Sequence, residues 1–508
     1  MAQRFSRRSG SFSRVALAAL ALSLVAGCGF STPSNGGMRT GTEAELTARL
    51  SDGQKDAAVI VSTSGPAQIG KLAEAGMDIW GVDGKRVIGS ITQRQYQTIK
   101  RLKLEVTYLP GKSGLDNSFD PGYHSNAEMI DALKALASRY PNLARLEDFG
   151  DSWEKKQGGK GNDLWVLKIG KGDTSAKPGV IYLGLHHARE LVTPEMVLNL
   201  AKHLLEGYGT DAEATHYVEN REIWLVPMVN PDGHALAEQG SDWRKNTNSS
   251  YTNLQPGHGP SGPGVDLNRN YGYKWGGPGA DTNPKGATFR GAEGFSEPET
   301  AAVRDLVRQR KWSFLMTYHS FSNLILWPWG HTNVAPPDNR LPAIGKKLGE
   351  FSGYDPKQSV SLYPTSGDTT DWAFGELGIL SYTTEIGTWG DGFDPPYSKV
   401  PQFWNENRPG SLYMLKLADN PSAVFGPELK TVKVQNGQFN ASASGALTDV
   451  EFFVGKPGKE GTGTRLNASG LNASGMLPPS VMTEKQLLLV HARGANGQWG
   501  PFEAVWSR

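Results

Sequence analysis

The chain is 508 residues long, carries 52 Lys and Arg against 51 Asp and Glu for a net charge of +1, and holds one cysteine. A balance this even gives no electrostatic reason to expect nucleic acid as a partner. One thiol leaves no disulfide framework, so the fold must hold together without one.

Arg4, Arg7, Arg8 and Arg14 precede an apolar run from Val15 to Gly27, too short and too rich in alanine for a comfortable membrane span, which reads as a secretion signal. Cys28 follows at once. Val25-Ala26-Gly27-Cys28 resembles the lipobox of bacterial lipoproteins, in which the cysteine is acylated and becomes the mature amino terminus. That resemblance implies a lipid anchor through Cys28, and Gly29 in place of aspartate implies outer-membrane sorting within a bacterial cell envelope, facing periplasm or exterior. The pair Arg7-Arg8 is a weaker sign of twin-arginine export, because the residues after it fit that signal poorly. Residues 1–27 are expected as signal peptide and 28–50 as a lipid-anchored linker with little to bury.

Strand-like Ala58 to Val61, helical Pro66 to Ala75, short strands Met77 to Val82 and Arg86 to Ser90, helical Gln93 to Arg101 and a last strand Leu104 to Tyr108 predict a small α+β domain over residues 51–110. It holds no cluster of acid, histidine and arginine of catalytic type and reads by default as a folded spacer. Its position suggests a prosegment that packs on the larger domain C-terminal to it.

Residues 115–420 have the alternation of a single α/β domain. Glu128 to Tyr140 and Pro194 to Leu205 read as helices, Leu164 to Ile169 and Val180 to Leu185 as strands, and Glu222 to Val229 as a strand covered on both faces. The apolar run from Ile181 ends abruptly in His186-His187-Ala188-Arg189-Glu190. His187 and Glu190 can point at one centre where strand turns into helix, and imidazole with carboxylate is a normal zinc pair. His319, at the end of the run from Phe314, is the best third ligand, because open α/β sheets keep their sites at the carboxyl ends of neighbouring strands. Gly257 to Gly294 reads as a long ordered loop of the kind that carries function. Asp242 to Asn246 and Gly264 to Asn270 bring arginine beside asparagine, which suits a carboxylate ligand. Glu385 stands alone at the end of a β-rich run, where burial is costly unless a nearby cation uses the charge.

In order, His187-Ala-Arg-Glu190, Asn230-Pro-Asp-Gly233, Trp243-Arg-Lys245, Gly264-Val-Asp-Leu-Asn-Arg-Asn270, Phe295-Ser-Glu-Pro-Glu299, His319-Ser320, Trp327-Pro-Trp-Gly330 and Glu385 resemble the zinc metallocarboxypeptidase family typified by pancreatic carboxypeptidase A. The resemblance is closer still to bacterial members with a Gly-Asp-Thr-Thr-Asp-Trp loop, and it spans Tyr123 to Asn420. It implies a mixed eight-stranded sheet flanked by helices, one zinc ion held by His187, Glu190 and His319, and hydrolysis of the C-terminal bond of peptides or proteins. It further implies Asp266 orienting His187, Glu385 as general base, Arg244 stabilising the oxyanion, and Asn268 with Arg269 clamping the substrate carboxylate under Tyr363. Arg189 and Ser320 match subsite residues beside the metal, and Ser320-Phe321 matches a cis peptide.

Two departures stand out: Phe321 replaces an aromatic that often carries a hydroxyl, and Asp151 to Asp163 is a Lys- and Gly-rich insert on the rim. By resemblance Asp368 and Thr370, with Leu326 and Gly330 on an apolar wall, form the side-chain pocket, implying tolerance of basic and apolar terminal residues. An equal alternative makes Asp368 a helix cap. Other readings are a zinc amidohydrolase trimming peptidoglycan stem peptides and an inactive peptide-binding lipoprotein; the complete catalytic set speaks against the latter. Residues 425–508, with short strands between Gly, Asn and Pro turns, are expected to form an immunoglobulin-like β-sandwich, either a passive stabiliser or a contact to cell wall or glycan.

Overall fold

The computed structural model describes residues 39–51, 56–110, 119–251 and 262–508. The expected signal, Cys28 and its lipid anchor lie outside the described residues, and no described helix is long and apolar enough to cross a membrane.

The N-terminal module runs through β1 (Ala57–Ser62), β2 (Asp78–Asp83), β3 (Arg86–Ile91) and β4 (Glu105–Tyr108), which form an antiparallel sheet in the order β2-β3-β1-β4. Helices Pro66–Glu74 and Gln93–Arg101 connect the strands, and Ile69, Leu72 and Ile99 meet Val59, Val61 and Val87 in its core. A helix over Glu43–Ser51 differs from the expected linker. Leu46 and Leu50 lie one helical turn apart and are buried in the same core, so the folded module begins before residue 51.

The central sheet is built from β5 (Ala144–Asp151), β6 (Asp163–Ile169), β7 (Gly179–Leu183), β8 (Glu222–Val226), β9 (Phe314–His319), β10 (Leu324–Trp327), β11 (Asp355–Gln358) and β12 (Leu380–Glu385). Its order is β11-β10-β12-β9-β7-β8-β6-β5. The four middle strands β12, β9, β7 and β8 are mutually parallel, with antiparallel pairs β10/β12, β6/β8 and β5/β6 toward the edges. Every residue of β7, β8 and β9 is buried, the consequence of unbroken apolar sequence with a core on each face. Parallel direction brings the carboxyl ends of β7, β9 and β12 to one edge of the sheet, with Glu385 directly opposite His319 in register. Helix Val192–Gly207 starts with Pro194 in its first turn, ends at Gly207 and buries Leu198, Leu200, Leu204 and Leu205 against the sheet. Each such leucine contributes about 1.5–3 kcal/mol by burial, which fixes the scaffold behind the strand ends.

The C-terminal module contains β13 (Leu429–Gln435), β14 (Gln438–Ala443), β15 (Leu447–Val454), β16 (Thr464–Ser469), β17 (Asn472–Met476), β18 (Leu487–Gly494) and β19 (Glu503–Trp506). All pairs are antiparallel, in the continuous order β13-β14-β17-β16-β15-β18-β19. Continuity arises because β16 pairs with β15 in its first half and with β17 in its second. Where an immunoglobulin-like sandwich was expected, the strands form one continuous seven-stranded antiparallel β module. It docks through Lys416, which bonds Glu503 at 3.0 Å and Glu213 at 3.2 Å, and through Trp506, whose Nε1 donates to the Thr210 carbonyl at 2.9 Å. Thr210 and Glu213 lie just before and on helix Ala212–Asn220, which enters β8 at its amino end, and Lys416 lies in the last turn of helix Val400–Leu417, so the module sits on the sheet edge away from His319 and Glu385.

Candidate active site

β7 ends at Leu183, and the chain bends sharply before the next helix. A Cβ on Gly184 would lie 2.7 Å from the Pro227 carbonyl oxygen, so only glycine fits. Leu185 takes a φ of +55°, and its N–H donates to Thr193 Oγ1 at 2.9 Å, which holds the turn presenting His186 to Glu190. The next strand over delivers His319 as its last residue.

The ligand atoms of His187, Glu190 and His319 lie within 4.8 Å of one another, and all three residues are buried. Glu190 Oε1 is 2.7 Å from His187 Nδ1, Oε2 is 3.1 Å from His319 Nδ1, and the two Nδ1 atoms are 3.1 Å apart. Oε2 has no satisfying hydrogen bond despite its burial. Two imidazoles turned toward each other around a half-orphaned carboxylate are a donor set for a tetrahedral cation of zinc type.

The far nitrogen of His187, Nε2, is 3.1 Å from Asp266 Oδ1. Asp266 also accepts from Arg244 Nε at 3.2 Å and Nη2 at 2.9 Å, and from the Asn268 N–H at 2.9 Å. Burial alone would raise the Asp266 pKa, but Arg244, Arg269 and His187 outweigh it and hold the carboxyl well below the usual range. Arg244 is thereby fixed at the cleft wall by its partner behind it.

Glu385 faces the same cleft and is pushed well above the ordinary carboxylate pKa, first by burial and then by the charge of Glu190, against the pull of Arg244 and Arg269. Arg269 is buried and makes no ion pair among the described residues. Its Nε and Nη1 go to the carbonyls of Gly279 and Asn268, and its Nη2 lies 3.4 Å from the Tyr363 hydroxyl. Asn268 Oδ1 accepts from both the N–H and Oγ1 of Thr369, each at 2.9 Å, while its amide nitrogen lies 3.5 Å from His319 Nε2.

Ser320 lines the cleft with its Oγ unpartnered, and its peptide bond to Phe321 is cis. Thr370 and Asp368 line it too, but Asp368 is engaged as the cap of helix Thr369–Leu377, accepting from the Asp371 N–H at 2.8 Å and the Thr370 hydroxyl at 2.9 Å. Burial first, and the charge of Asp371 next, push Asp368 up to about 6. Cap and cleft wall are therefore compatible placements of one residue.

Arg189 has company that sequence reasoning missed. Its Nη1 and Nη2 grip Asp78, in β2 of the N-terminal module, at 2.8 and 2.6 Å, while Nη1 also reaches Asp242 at 3.1 Å and the guanidinium lies 3.8 Å from the Phe393 ring centre. Ile79, Trp80 and Gly81 of the same strand line the cleft, whose empty volume is about 680 Å³. Tyr363 packs against the core of the N-terminal module. The local signal was an aspartate inside an apolar stretch, Met77-Asp78-Ile79-Trp80, where an acid needs a cation.

The zinc carboxypeptidase family profile matches residues 129–410. The chain belongs to the zinc carboxypeptidase family. It is 30% identical over 363 residues to a zinc carboxypeptidase of Saccharothrix mutabilis subsp. capreolus, covering 64% of this chain and 80% of that one. To a metallocarboxypeptidase A of Arthroderma otae it is 31% identical over 318 residues, 59% of this chain and 72% of the other. The fold resembles the crystal structure of carboxypeptidase A from Helicoverpa armigera, with a TM-score of 0.59 and 23% identity over 72% of this chain and 97% of that one. Thrombin activatable fibrinolysis inhibitor is similar, at a TM-score of 0.58 and 22% identity over 72% of this chain and 99% of the other. This zinc carboxypeptidase acts on the C-termini of peptides, and His187, Glu190 and His319 form the one zinc site among the described residues.

Proposed function

We propose that Glu385, Arg244, Asn268, Arg269 and Tyr363 divide the work of C-terminal hydrolysis among them, and the observation that carries this reading is Arg269: a buried guanidinium without an anion, on the same cleft as the metal ligands. A substrate's terminal carboxylate is the anion it lacks, held by charge-assisted hydrogen bonds from Arg269 and the amide NH2 of Asn268, with Tyr363 closing over it. When bound, zinc supplies Lewis-acid chemistry, polarising the scissile carbonyl and acidifying a water. Glu385 takes the proton of the attacking water and passes it to the leaving nitrogen, a role that suits a carboxylate facing the same cleft as the metal ligands. Arg244, fixed by Asp266, donates to the oxygen on which charge grows. Asp266 holds His187 in one tautomer. Arg189 and Ser320 contact the substrate upstream of the scissile bond.

Asp368 and Thr370 at the cleft wall support acceptance of basic beside apolar terminal residues. The experiment is a released-amino-acid assay over peptides ending in Arg, Lys, Leu and Phe, each with a free and an amidated terminus. Amidation should abolish most turnover on all four, and Asp368→Asn should selectively lose the basic pair; equal losses on all four remove the basis for dual preference.

Residues 51–110 with the helix before them serve as a prosegment, a reading supported by the grip of Asp78 on Arg189. The C-terminal module is an immunoglobulin-like sandwich in which β13, β14 and β17 face β15 and β18 across a shared core of Phe439, Ala441, Ala473, Val450 and Leu488. Cys28 anchors the enzyme as a lipoprotein of a bacterial envelope, carried by the sequence before it. Cys28→Ser should move the protein out of the membrane fraction; retention there contradicts the anchor.

A further inference from the structure

Behind the metal ligands runs a chain of hydrogen bonds that none of these catalytic roles uses. His319 turns Nδ1 toward Glu190 and His187, at 3.1 Å from each. Serving as a ligand through that atom, the ring must carry its hydrogen on Nε2. Two groups stand there: Oγ1 of Thr317, two residues back on the same face of β9, at 3.2 Å, and the Asn268 amide nitrogen at 3.5 Å, of which only the nearer hydroxyl can accept. The Thr317 hydroxyl then donates in its turn to Nδ1 of His186 at 3.1 Å. With Nδ1 accepting, a neutral His186 carries its hydrogen on Nε2, which lies 2.8 Å from the Tyr271 hydroxyl and 3.2 Å from Thr369 Oγ1. Thr369 Oγ1 donates to Asn268 Oδ1 at 2.9 Å. His186, Thr317, Thr369 and Tyr271 are all without solvent exposure. One starting condition, ligation through Nδ1 of His319, sets the direction of each bond from Thr317 to Asn268.

We infer that Thr317 and His186 are positioning residues that lock zinc ligand His319 in one tautomer and tie it to Asn268 of the carboxylate clamp. The inference rests on the zinc site and, at its far end, on the proposed clamp. The two histidine ligands are supported differently. His187 leans on a carboxylate, Asp266, whereas His319 leans on a neutral hydroxyl and imidazole. Glu190, Asp266 and Glu385 already crowd the site with acids, so a further carboxylate behind His319 would add repulsion, and a neutral relay fixes the tautomer without that cost. The His186 ring also stacks on His319, with centroids 5.5 Å apart and planes 19° from parallel, which sets the ligand's plane. At the clamp end, Thr369 occupies Asn268 Oδ1, so the amide presents only donors to an arriving carboxylate.

Zinc dissociation constants of the full chain, measured by competition with a chelator of known affinity, test this. Thr317→Val, nearly isosteric, and His186→Phe should each bind zinc roughly 10–100-fold more weakly, while Thr317→Ser stays close to wild type; His186→Phe should also raise KM for free-carboxylate peptides. Folded Thr317→Val protein holding zinc as tightly as wild type overturns the relay, and so does a loss in Thr317→Ser equal to that in Thr317→Val, since then packing and not the hydroxyl matters. Should His186→Phe fail to fold, the Thr317 pair still decides. A wild-type chain that binds zinc tightly but shows no preference for free termini would fault the clamp reading, not the metal site, and would sever the inferred link to Asn268. A wild-type chain that takes no zinc removes the metal site and the relay together.

Discussion

The N-terminal and C-terminal modules both dock on the catalytic sheet through ion pairs, buried in the first and partly exposed in the second, and at opposite edges. At the carboxyl edge, Asp78 holds Arg189 and Arg94 pairs with Asp281, while Trp80 meets the rings of Trp389 and Phe393 at 6.3 and 6.4 Å. At the amino edge, Lys416 bridges Glu213 and Glu503, and Lys485 reaches the Gly209 carbonyl. One set of contacts ends beside the cleft that holds the metal ligands; the other ends on helices away from it. The same kind of interaction should therefore throttle chemistry at one edge and hold up the fold at the other.

The scale for any effect on chemistry is set by the cleft itself. Glu385→Gln should lower kcat by about 10²–10⁴ while zinc content stays at one per chain, because a general base is removed and no ligand; near-normal turnover by this variant would mean that the base is elsewhere. Against that scale, Lys416→Met should leave kcat/KM of the folded enzyme unchanged and cost about 1–3 kcal/mol of stability, since two partly buried carboxylates lose their shared cation. Thermal melts and steady-state kinetics on one preparation separate the two readouts. A fall in kcat/KM without a fall in Tm would erase the contrast between the edges.

Asp78→Ala should act in the opposite sense, raising kcat/KM of the full chain roughly tenfold, because the fraction of molecules with an open cleft increases. If activity falls instead, β2 is part of the working site and not a cover. A smaller effect sharpens the same contact. Asp242, beside Asp78 on Arg189, is pushed up to about 7 by burial first, with Asp78 and Asp394 raising it further against the pull of Arg189. Departure of β2 removes the Asp78 charge and admits water, returning Asp242 toward the ordinary value of ~3.9. Docking thus takes up a proton: the clasp is fully stabilised below that ordinary value and loses this contribution as pH rises through about 7. Hydrogen exchange in β2 should quicken from pH 5 toward pH 8 more than intrinsic exchange accounts for, and Asp242→Asn should flatten the excess. Loosening on acidification would reverse the assigned sign.

Much of the central site was legible because its chemistry is written in short runs. His187 and Glu190 sit on one turn and His319 and Glu385 end β strands, so local pattern marked them as candidates, whereas the proposed roles of Glu385, Asn268 and Arg269 came from the resemblance to the family's ordered motifs. The grip on Arg189 was not legible, because Asp78 reaches it from a strand 111 residues away, and nothing in a local period encodes a contact between modules. His186 was visible as a histidine but not as a relay, since its partners Thr317, Tyr271 and Thr369 come together only through the sheet. Helix Glu43–Ser51 was lost in polar surroundings; its two leucines are too few to show a period, yet enough to fill a small core. In the C-terminal module, strands were readable from alternation and turns, while the switch of β16 between two partners depends on twist, which sequence does not display.

The most direct test of the central claim is release of the C-terminal amino acid from matched peptides with free and amidated termini, measured through zinc removal and back-titration. Activity should vanish with the metal, return in full at one zinc per chain, and do so only on the free terminus. Comparable cleavage of the amidated peptide, or turnover that survives complete zinc removal, would contradict the assignment of the cleft as a zinc site paired with a carboxylate clamp.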